Sequence, residues 1–276
     1  MTTFDRITNW DDAYANRKHA PGADQIIDAW PSEAASYRTA VPGDFDCAYA
    51  AQVGQADRHL FDLWQPEGPA KGLFVFVHGG YWMTFDKSTW SPYGAGALAA
   101  GWAVAIPSYT LTPNIALADI RHEIAAAINA AAARVAGPII LSGHSAGGHL
   151  VSRMVCDDSP LPAETQARVR HVLSISGVHD LRPLLQTELN QTLGMSAEEA
   201  KMESPALRRP VPGARLTCLV GGDERPEFIR QSALLASAWL GLGASTRLVV
   251  RPGQNHFTVI DSLKQVDPLL FDGVIL

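Results

Sequence analysis

The segment that decides the fold is Gly143-His144-Ser145-Ala146-Gly147, a G-x-S-x-G pattern. It directly follows an apolar run, Pro138–Ser142, that we predict as a strand, and it opens a helical run, His149–Cys156. In so tight a strand–turn–helix corner, side chains at the two glycine positions would clash with neighbouring backbone. The pattern therefore predicts that Ser145 is a nucleophile whose hydroxyl is exposed at the carboxyl edge of a sheet.

A second glycine-rich turn follows another apolar run, Leu73–Val77, and reads His78-Gly79-Gly80-Tyr81-Trp82. Acyl transfer requires hydrogen-bond donors aimed at the oxygen of the tetrahedral intermediate. Glycine lets a backbone N–H approach that oxygen, and the residue after the nucleophile supplies a second N–H. We therefore predict an oxyanion hole made by the N–H groups of Gly79 or Gly80 and of Ala146, with the His78 side chain bracing the turn.

A serine hydroxyl needs a positioned base before it becomes nucleophilic. Of the nine histidines, His256 follows the last predicted strand in a loop, where the chain order Ser…Asp…His places the base. We therefore predict His256 as the general base.

The acid that orients the imidazole should precede His256 and lie at a strand end. Asp223 meets both conditions, since it follows the predicted strand Leu216–Val220. Asp180 is the alternative, although we favour it as the N-cap of a helix, Leu181–Leu189. Glu224 ranks below both aspartates.

Apolar runs alternate with helical stretches along most of the chain. Continuous apolar strands are typical of a parallel sheet buried on both faces, and the alternation predicts helices on each face. The stretches Ile115–Ala136 and Pro226–Leu242 have helical spacing, whereas Asp180–Leu207 breaks the alternation and is predicted to be a small helical cap. We predict one domain over residues 1–276, with residues 1–45 as an N-terminal segment packed on it. The predicted strands are Cys47–Val53, His59–Trp64, Leu73–Val77, Ala103–Pro107, Pro138–Ser142, His171–Ser176, Leu216–Val220 and Thr246–Val250.

The composition excludes several classes of protein. The 276 residues are 47% hydrophobic and carry a net charge of −6, which argues against disorder, nucleic-acid binding and binding to anionic membranes. Three cysteines at unrelated spacings form neither a disulfide framework nor a metal pair, and we expect no metal and no cofactor. The polar N-terminus lacks a secretory h-region, so we expect a cytoplasmic protein. The sequence leaves the oligomeric state open, a homodimer included.

These motifs resemble the α/β-hydrolase fold, and among its branches the kynurenine formamidases (arylformamidases), which are related to the hormone-sensitive-lipase-like esterases. The similarity runs from about Cys47 to the C-terminus and includes the H-G-G-x-W turn at His78–Trp82, the Ser145 motif and the histidine loop Asn255-His256-Phe257. It also includes Asp180-Leu181-Arg182-Pro183-Leu184 and Gly222-Asp223-Glu224. In the esterases a third glycine usually stands where this chain has Tyr81, which favours the formamidase branch.

The resemblance implies hydrolysis of N-formyl-kynurenine to kynurenine and formate, a step of tryptophan catabolism. The small-molecule pocket is expected to include Tyr81, Trp82 and His144, together with N-terminal aromatic residues. Two alternatives remain: a short-chain carboxylesterase, which pocket size would distinguish, and a ligand-binding protein without turnover. Because Ser145, a candidate acid and His256 are all present, the sequence favours an enzyme.

Overall fold

A computed structural model describes residues 6–268 of the chain. Eight strands form one sheet in the order β1-β2-β4-β3-β5-β6-β7-β8. From β3 onwards neighbouring strands are parallel, while β2 is antiparallel to both β1 and β4. The strands are β1 Asp44–Ala48, β2 Leu60–Trp64, β3 Leu73–Val77, β4 Ala103–Pro107, β5 Ile139–His144, β6 Val169–Ile175, β7 Arg215–Gly221 and β8 Ser245–Arg251.

The predicted, mostly parallel sheet is confirmed, and seven of the eight predicted strands match to within two residues at each end. The first strand lies earlier than predicted, at Asp44–Ala48 instead of Cys47–Val53. Apolar residues after Ala48 misled the prediction, because the chain there leaves the sheet before the short 3-10 turn Ala56–Arg58 leads into β2. This part of the sheet is remote from the Ser145 corner.

Helices cover both faces of the sheet. Along β3, alternate side chains enter two different cores: Leu73, Val75 and Val77 face one, whereas Phe74 and Phe76 face the other. No helix within residues 6–268 is long and apolar enough to cross a membrane. The helices are α1 Trp10–Tyr14, α2 Asn16–His19, α3 Ala23–Ala40, α4 Ala95–Ala99, α5 Leu117–Arg134, α6 Ala146–Arg153, α7 Ala163–Arg168, α8 Asn190–Leu193, α9 Ala197–Met202 and α10 Pro226–Leu240.

The N-terminal segment packs on the sheet, as far as it is described; its residues 1–5 lie outside the described residues. Arg38 of α3 pairs with the buried Asp62 of β2, and Lys87 lies 2.8 Å from the same carboxylate. Residues 180–207 form α8 and α9 with two 3-10 turns rather than one long helix. The two segments meet where the main-chain N–H of Glu188 donates to Asp11 (2.6 Å).

Candidate active site

Ser145 stands alone between β5 and α6, in the conformation of a nucleophile elbow. Its φ of 55° and ψ of −116° lie in a region that non-glycine residues rarely occupy. The main-chain N–H of Ser145 donates to the carbonyl of Ile175 (2.8 Å), which ties the corner to the neighbouring strand β6. The corner therefore holds the serine side chain in one direction, at the carboxyl end of the parallel strands.

The flanking glycines make this corner sterically feasible. A Cβ at Gly143 would lie 2.3 Å from the carbonyl oxygen of Gly147, and one at Gly147 would lie 1.9 Å from that of Val77. Both contacts are with backbone, which cannot move aside without distorting the sheet. The steric reason inferred from the G-x-S-x-G pattern is thus confirmed.

His256 lies in the loop after β8, and its imidazole is held by a glutamate. The His256 Nδ1 is 2.7 Å from Oε2 of Glu224, whose side chain is wholly buried. The other oxygen, Oε1, accepts hydrogen bonds from the Ser176 hydroxyl (2.5 Å) and from the Gly221 N–H (2.7 Å). The carboxylate is therefore fixed by two donors besides the imidazole, and Nδ1–H donates to it.

The prediction of Asp223 as the acid partner of His256 is wrong. Asp223 is exposed, and its main-chain N–H donates to the carbonyl of Gln254 (3.0 Å). The strand β7 continues through Gly221, one residue beyond the predicted end. The turn that follows therefore points Glu224, rather than Asp223, into the protein. Sequence carried little signal for this choice, because the two acids are adjacent and only the strand end decides between them.

Asp180 likewise does not contact the histidine. Its Oδ1 accepts from the N–H of Arg182 (3.2 Å), and both carboxylate oxygens bind the guanidinium of that residue. The interpretation of Asp180 as the N-cap of a helix Leu181–Leu189 is wrong, because the chain forms only a 3-10 turn here, Arg182–Gln186, whose N-cap is Leu181 without a side-chain cap bond.

The turn after β3 contacts the nucleophile corner. A Cβ at Gly79 would lie 2.8 Å from the carbonyl oxygen of His144 and 3.0 Å from Cβ of Ser145. Gly80 has a φ of 110° and lines the same cavity as Ser145. The backbone of this turn therefore passes beside the serine, as an oxyanion hole requires, and Ala146 follows the serine directly.

His78 braces this turn. Its Nδ1 is 2.8 Å from the carbonyl oxygen of Gly79, and its ring stacks on Tyr109 with centroids 4.4 Å apart. Burial lowers the pKa of His78 to about 4, because the charged imidazolium would lose its hydration. A neutral ring that faces a carbonyl through Nδ1 carries its proton there, so Nδ1–H donates to Gly79.

His144 supports the backbone of His256. Its Nε2 is 2.9 Å from the carbonyl oxygen of His256, and the two rings lie 4.5 Å apart. Burial holds the pKa of His144 well below its usual range, and a charge on His256 lowers it further. His144 is thus neutral, and its Nε2–H fixes the loop that carries His256.

Ser145 and His256 open into one cavity of about 700 Å³. Charged residues of the N-terminal helices, including Arg17 and Asp24, stand at its mouth with Glu188. Cavities with aromatic walls suit aromatic ligands. Its aromatic walls are Tyr14, Trp30, Tyr81, Phe85, Trp90 and Phe257.

Of the three residues predicted for the pocket, Tyr81 and His144 line the cavity, whereas Trp82 does not. Trp82 is fully buried, with its ring centroid 5.2 Å from that of His149 in an edge-on contact. Tyr81 and Trp82 both have positive φ values, 52° and 59°, which turn the second side chain into the core. Of the N-terminal aromatic residues, the cavity includes Tyr14 and Trp30.

The Tyr81 hydroxyl joins the oxyanion turn to the N-terminal helices. It donates to the carbonyl oxygen of Tyr14 (2.5 Å), and burial raises its pKa to about 12, so it stays protonated. The Tyr14 hydroxyl in turn donates to Glu227 of α10 (2.9 Å). Through these bonds the junction of α1 and α2 is fixed over the cavity.

We expect Tyr81→Phe to raise KM about 3- to 10-fold with little change in kcat, since a net hydrogen bond is worth about 1 kcal/mol. The loss would loosen the cavity wall without touching the reacting atoms. Steady-state kinetics would test this, with Tyr37→Phe as the matched control because that ring packs on Trp64, 6.2 Å between centroids, and does not line the cavity. A fall in kcat at constant KM would instead place the Tyr81 hydroxyl in the chemistry.

Within residues 6–268, no group of three or more His, Cys, Asp or Glu side chains is arranged to hold a metal ion. The cavity lining includes the Ser145 hydroxyl, the His256 imidazole and Gly80 of the glycine-rich turn. The Glu224 carboxylate binds that imidazole from the protein interior.

Comparison with known proteins agrees with this geometry. The BD-FAE family profile matches residues 61–211, more than half of the chain. A crystal structure of a proposed thioesterase from Silicibacter sp. TM1040 is 43% identical, with a TM-score of 0.89, over 96% of this chain and 99% of that one. A thermostable carboxylesterase from a metagenomic library shares the fold, with 15% identity and a TM-score of 0.70 over 92% of this chain and 98% of its own. The kynurenine formamidase of Danio rerio is 26% identical over 228 residues, 79% of this chain and 77% of that protein.

Proposed function

We propose, from the premise that the chain belongs to the BD-FAE family and is a hydrolase of the α/β-hydrolase fold, that it removes a formyl group from an aromatic amine through an acyl-serine intermediate. The substrate we propose is N-formyl-kynurenine, which would place the enzyme in tryptophan catabolism and, as inferred from the sequence, in the cytoplasm. The similarity to kynurenine formamidases of Danio rerio and Drosophila melanogaster, 26% identical each, supports this choice.

In the proposed mechanism Ser145 attacks the formyl carbon while His256 accepts its proton at Nε2. The Glu224 carboxylate, 2.7 Å from Nδ1, holds the tautomer that leaves Nε2 free and stabilises the imidazolium that forms. His256 then protonates the departing aromatic amine, and the C–N bond breaks. Water, activated by the same imidazole, hydrolyses the formyl-serine ester and releases formate.

The oxyanion of each tetrahedral intermediate is proposed to bind the N–H of Ala146 and that of Gly79 or Gly80. Gly80 is the better placed of the two glycines, since it lines the cavity. Preorganised donors of this kind act on charge that develops only in the transition state, so they lower the barrier rather than the KM.

The aromatic wall beside Ser145 is the observation that carries the proposal. Trp30 and Trp90 pack with ring centroids 4.6 Å apart and line the cavity that contains the serine. The ring centroid of Phe257, the residue after His256, lies 6.1 Å from that of Trp30. A flat aromatic leaving group can stack on such walls while its small acyl group reaches the serine.

Hydrolysis of short-chain esters is the second candidate function. The cavity of about 700 Å³ is large compared with a formyl group and could admit a longer acyl chain. The 43% identity to a proposed thioesterase adds thioesters to the substrates worth assaying.

We expect kcat/KM for N-formyl-kynurenine to exceed that for p-nitrophenyl acetate, p-nitrophenyl butyrate and S-phenyl thioacetate by at least about tenfold, or about 1.4 kcal/mol in the barrier. Purified protein would be assayed on all four, with Ser145→Ala as the blank. Ester or thioester turnover without formamide turnover would keep the serine mechanism and reject the formamidase assignment.

A further inference from the structure

Asn16 places a buried amide in the wall of the active-site cavity. It is the first residue of α2, is only 3% exposed, and lines the cavity that contains Ser145 and His256. Its side-chain Nδ2 has no hydrogen-bond partner among residues 6–268. Buried side-chain donors nearly always have a partner, because an unpaired one loses its hydration without compensation. The Nδ2 group of Asn16 can therefore donate a hydrogen bond to a molecule bound in the cavity.

The backbone around this amide is fixed, so the side chain cannot find a partner by moving with its helix. The Tyr81 hydroxyl donates to the carbonyl of Tyr14 (2.5 Å), two residues before Asn16. On the other side Arg225 binds Asp12 of α1 (2.7 Å). Because the backbone is held in place, a bound ligand can supply the missing hydrogen-bond partner of Asn16 more readily than a rearrangement of the protein can.

The charges near Asn16 are already compensated. Arg17 lies 2.5 Å from Asp24, and Lys18 lies 3.0 Å from Asp12, so each cation at this mouth has an acidic partner. A neutral oxygen atom of a ligand fits this environment better than a carboxylate. Burial of a carboxylate costs free energy, and only an unpaired cation would offset that cost.

We propose that Asn16 is a specificity-determining residue that donates a hydrogen bond to a neutral carbonyl oxygen on the leaving-group ring of the substrate. The inference rests on the proposed function, because the ring of N-formyl-kynurenine carries such a ketone, and it predicts the same preference among aryl esters. The ring would lie against Trp30 and Trp90 while the scissile acyl group reaches Ser145.

Matched substrate pairs test this assignment. One pair is N-(2-acetylphenyl)formamide and formanilide; the other is 2-acetylphenyl acetate and phenyl acetate. For each pair the ratio of kcat/KM with and without the ketone is compared between wild type and variant, so that differences in intrinsic reactivity cancel. We expect the ratio to fall about tenfold in Asn16→Leu and in the isosteric Asn16→Asp, as loss of one buried hydrogen bond predicts. In His19→Gln, on the same helix but outside the cavity lining, we expect the ratio to stay constant.

Unchanged ratios in folded Asn16→Leu or Asn16→Asp would overturn the assignment. It would also be overturned if the Asn16 variants lowered kcat/KM only for 2-formamidobenzoate, which carries a carboxylate in place of the ketone. Inhibition of the wild type needs no variant: 2-aminoacetophenone should bind about tenfold more tightly than 2-ethylaniline, and equal binding would also overturn it. The ester pair separates this inference from the proposed function. An Asn16 effect on the esters with no formamide turnover would reject the formamidase alone, whereas formamide turnover with unchanged ratios would reject only the role of Asn16.

Discussion

Ser145→Ala is expected to lower kcat roughly 10⁶-fold on every substrate that the wild type hydrolyses, as in serine hydrolases that lose their nucleophile. The variant keeps the oxyanion turn and the cavity, so KM should change little. Alanine tolerates the backbone of this position no worse than serine, because the Cβ that strains a φ of 55° is present in both and neither side chain is β-branched. The fold should therefore survive, and thermal melting would verify that it does.

Ser142→Ala provides a matched control on the same strand. Ser142 is fully buried in β5, and within the described residues its hydroxyl has no hydrogen-bond partner, so its removal should leave activity intact. A fluorophosphonate probe should label the wild type and Ser142→Ala once per chain and leave Ser145→Ala unlabelled. Labelling of folded Ser145→Ala, or retention of a few per cent of its turnover, would place the nucleophile elsewhere.

The sequence predicts features that depend on local sterics. The apolar run Leu73–Val77 predicts a buried strand, and the glycines around Ser145 predict a tight strand–turn–helix corner. Both predictions are confirmed. His256 is found by a different signal, its position in chain order after the last predicted strand, and the structure places its imidazole against a buried carboxylate. These signals need no knowledge of distant contacts.

The sequence does not predict features that depend on a shift of a strand end by one residue or on rare backbone angles. Glu224 replaces Asp223 because β7 is one residue longer than its apolar run. Trp82 leaves the pocket because two successive non-glycine residues adopt positive φ, which no residue preference indicates. The place of Asn16 in the cavity wall depends on the bond from the Tyr81 hydroxyl to the carbonyl of Tyr14, 67 positions away, in a polar segment without periodicity.

Glu224→Gln is expected to lower kcat about 10⁴-fold, because the amide would select the wrong histidine tautomer. In the wild type Oε1 accepts from both Ser176 and Gly221 N–H, so in the variant the amide oxygen must occupy that position. The NH₂ group then faces Nδ1 of His256 and donates to it. Nδ1 becomes an acceptor, the ring proton moves to Nε2, and the base can no longer take the proton of Ser145.

Asp223→Asn is the matched control, since it neutralises the adjacent, exposed carboxylate. We expect its kcat to stay within about twofold of wild type, as for most surface substitutions away from a site. Both variants would be assayed on one substrate beside their melting temperatures, because Glu224→Gln keeps the shape of the buried side chain and should remain folded. The opposite pattern, with Asp223→Asn inactive and Glu224→Gln active, would return the acid to Asp223. Loss of activity in both variants would mean that the charge of the whole turn, rather than the single hydrogen bond from His256 Nδ1 to Glu224, supports catalysis.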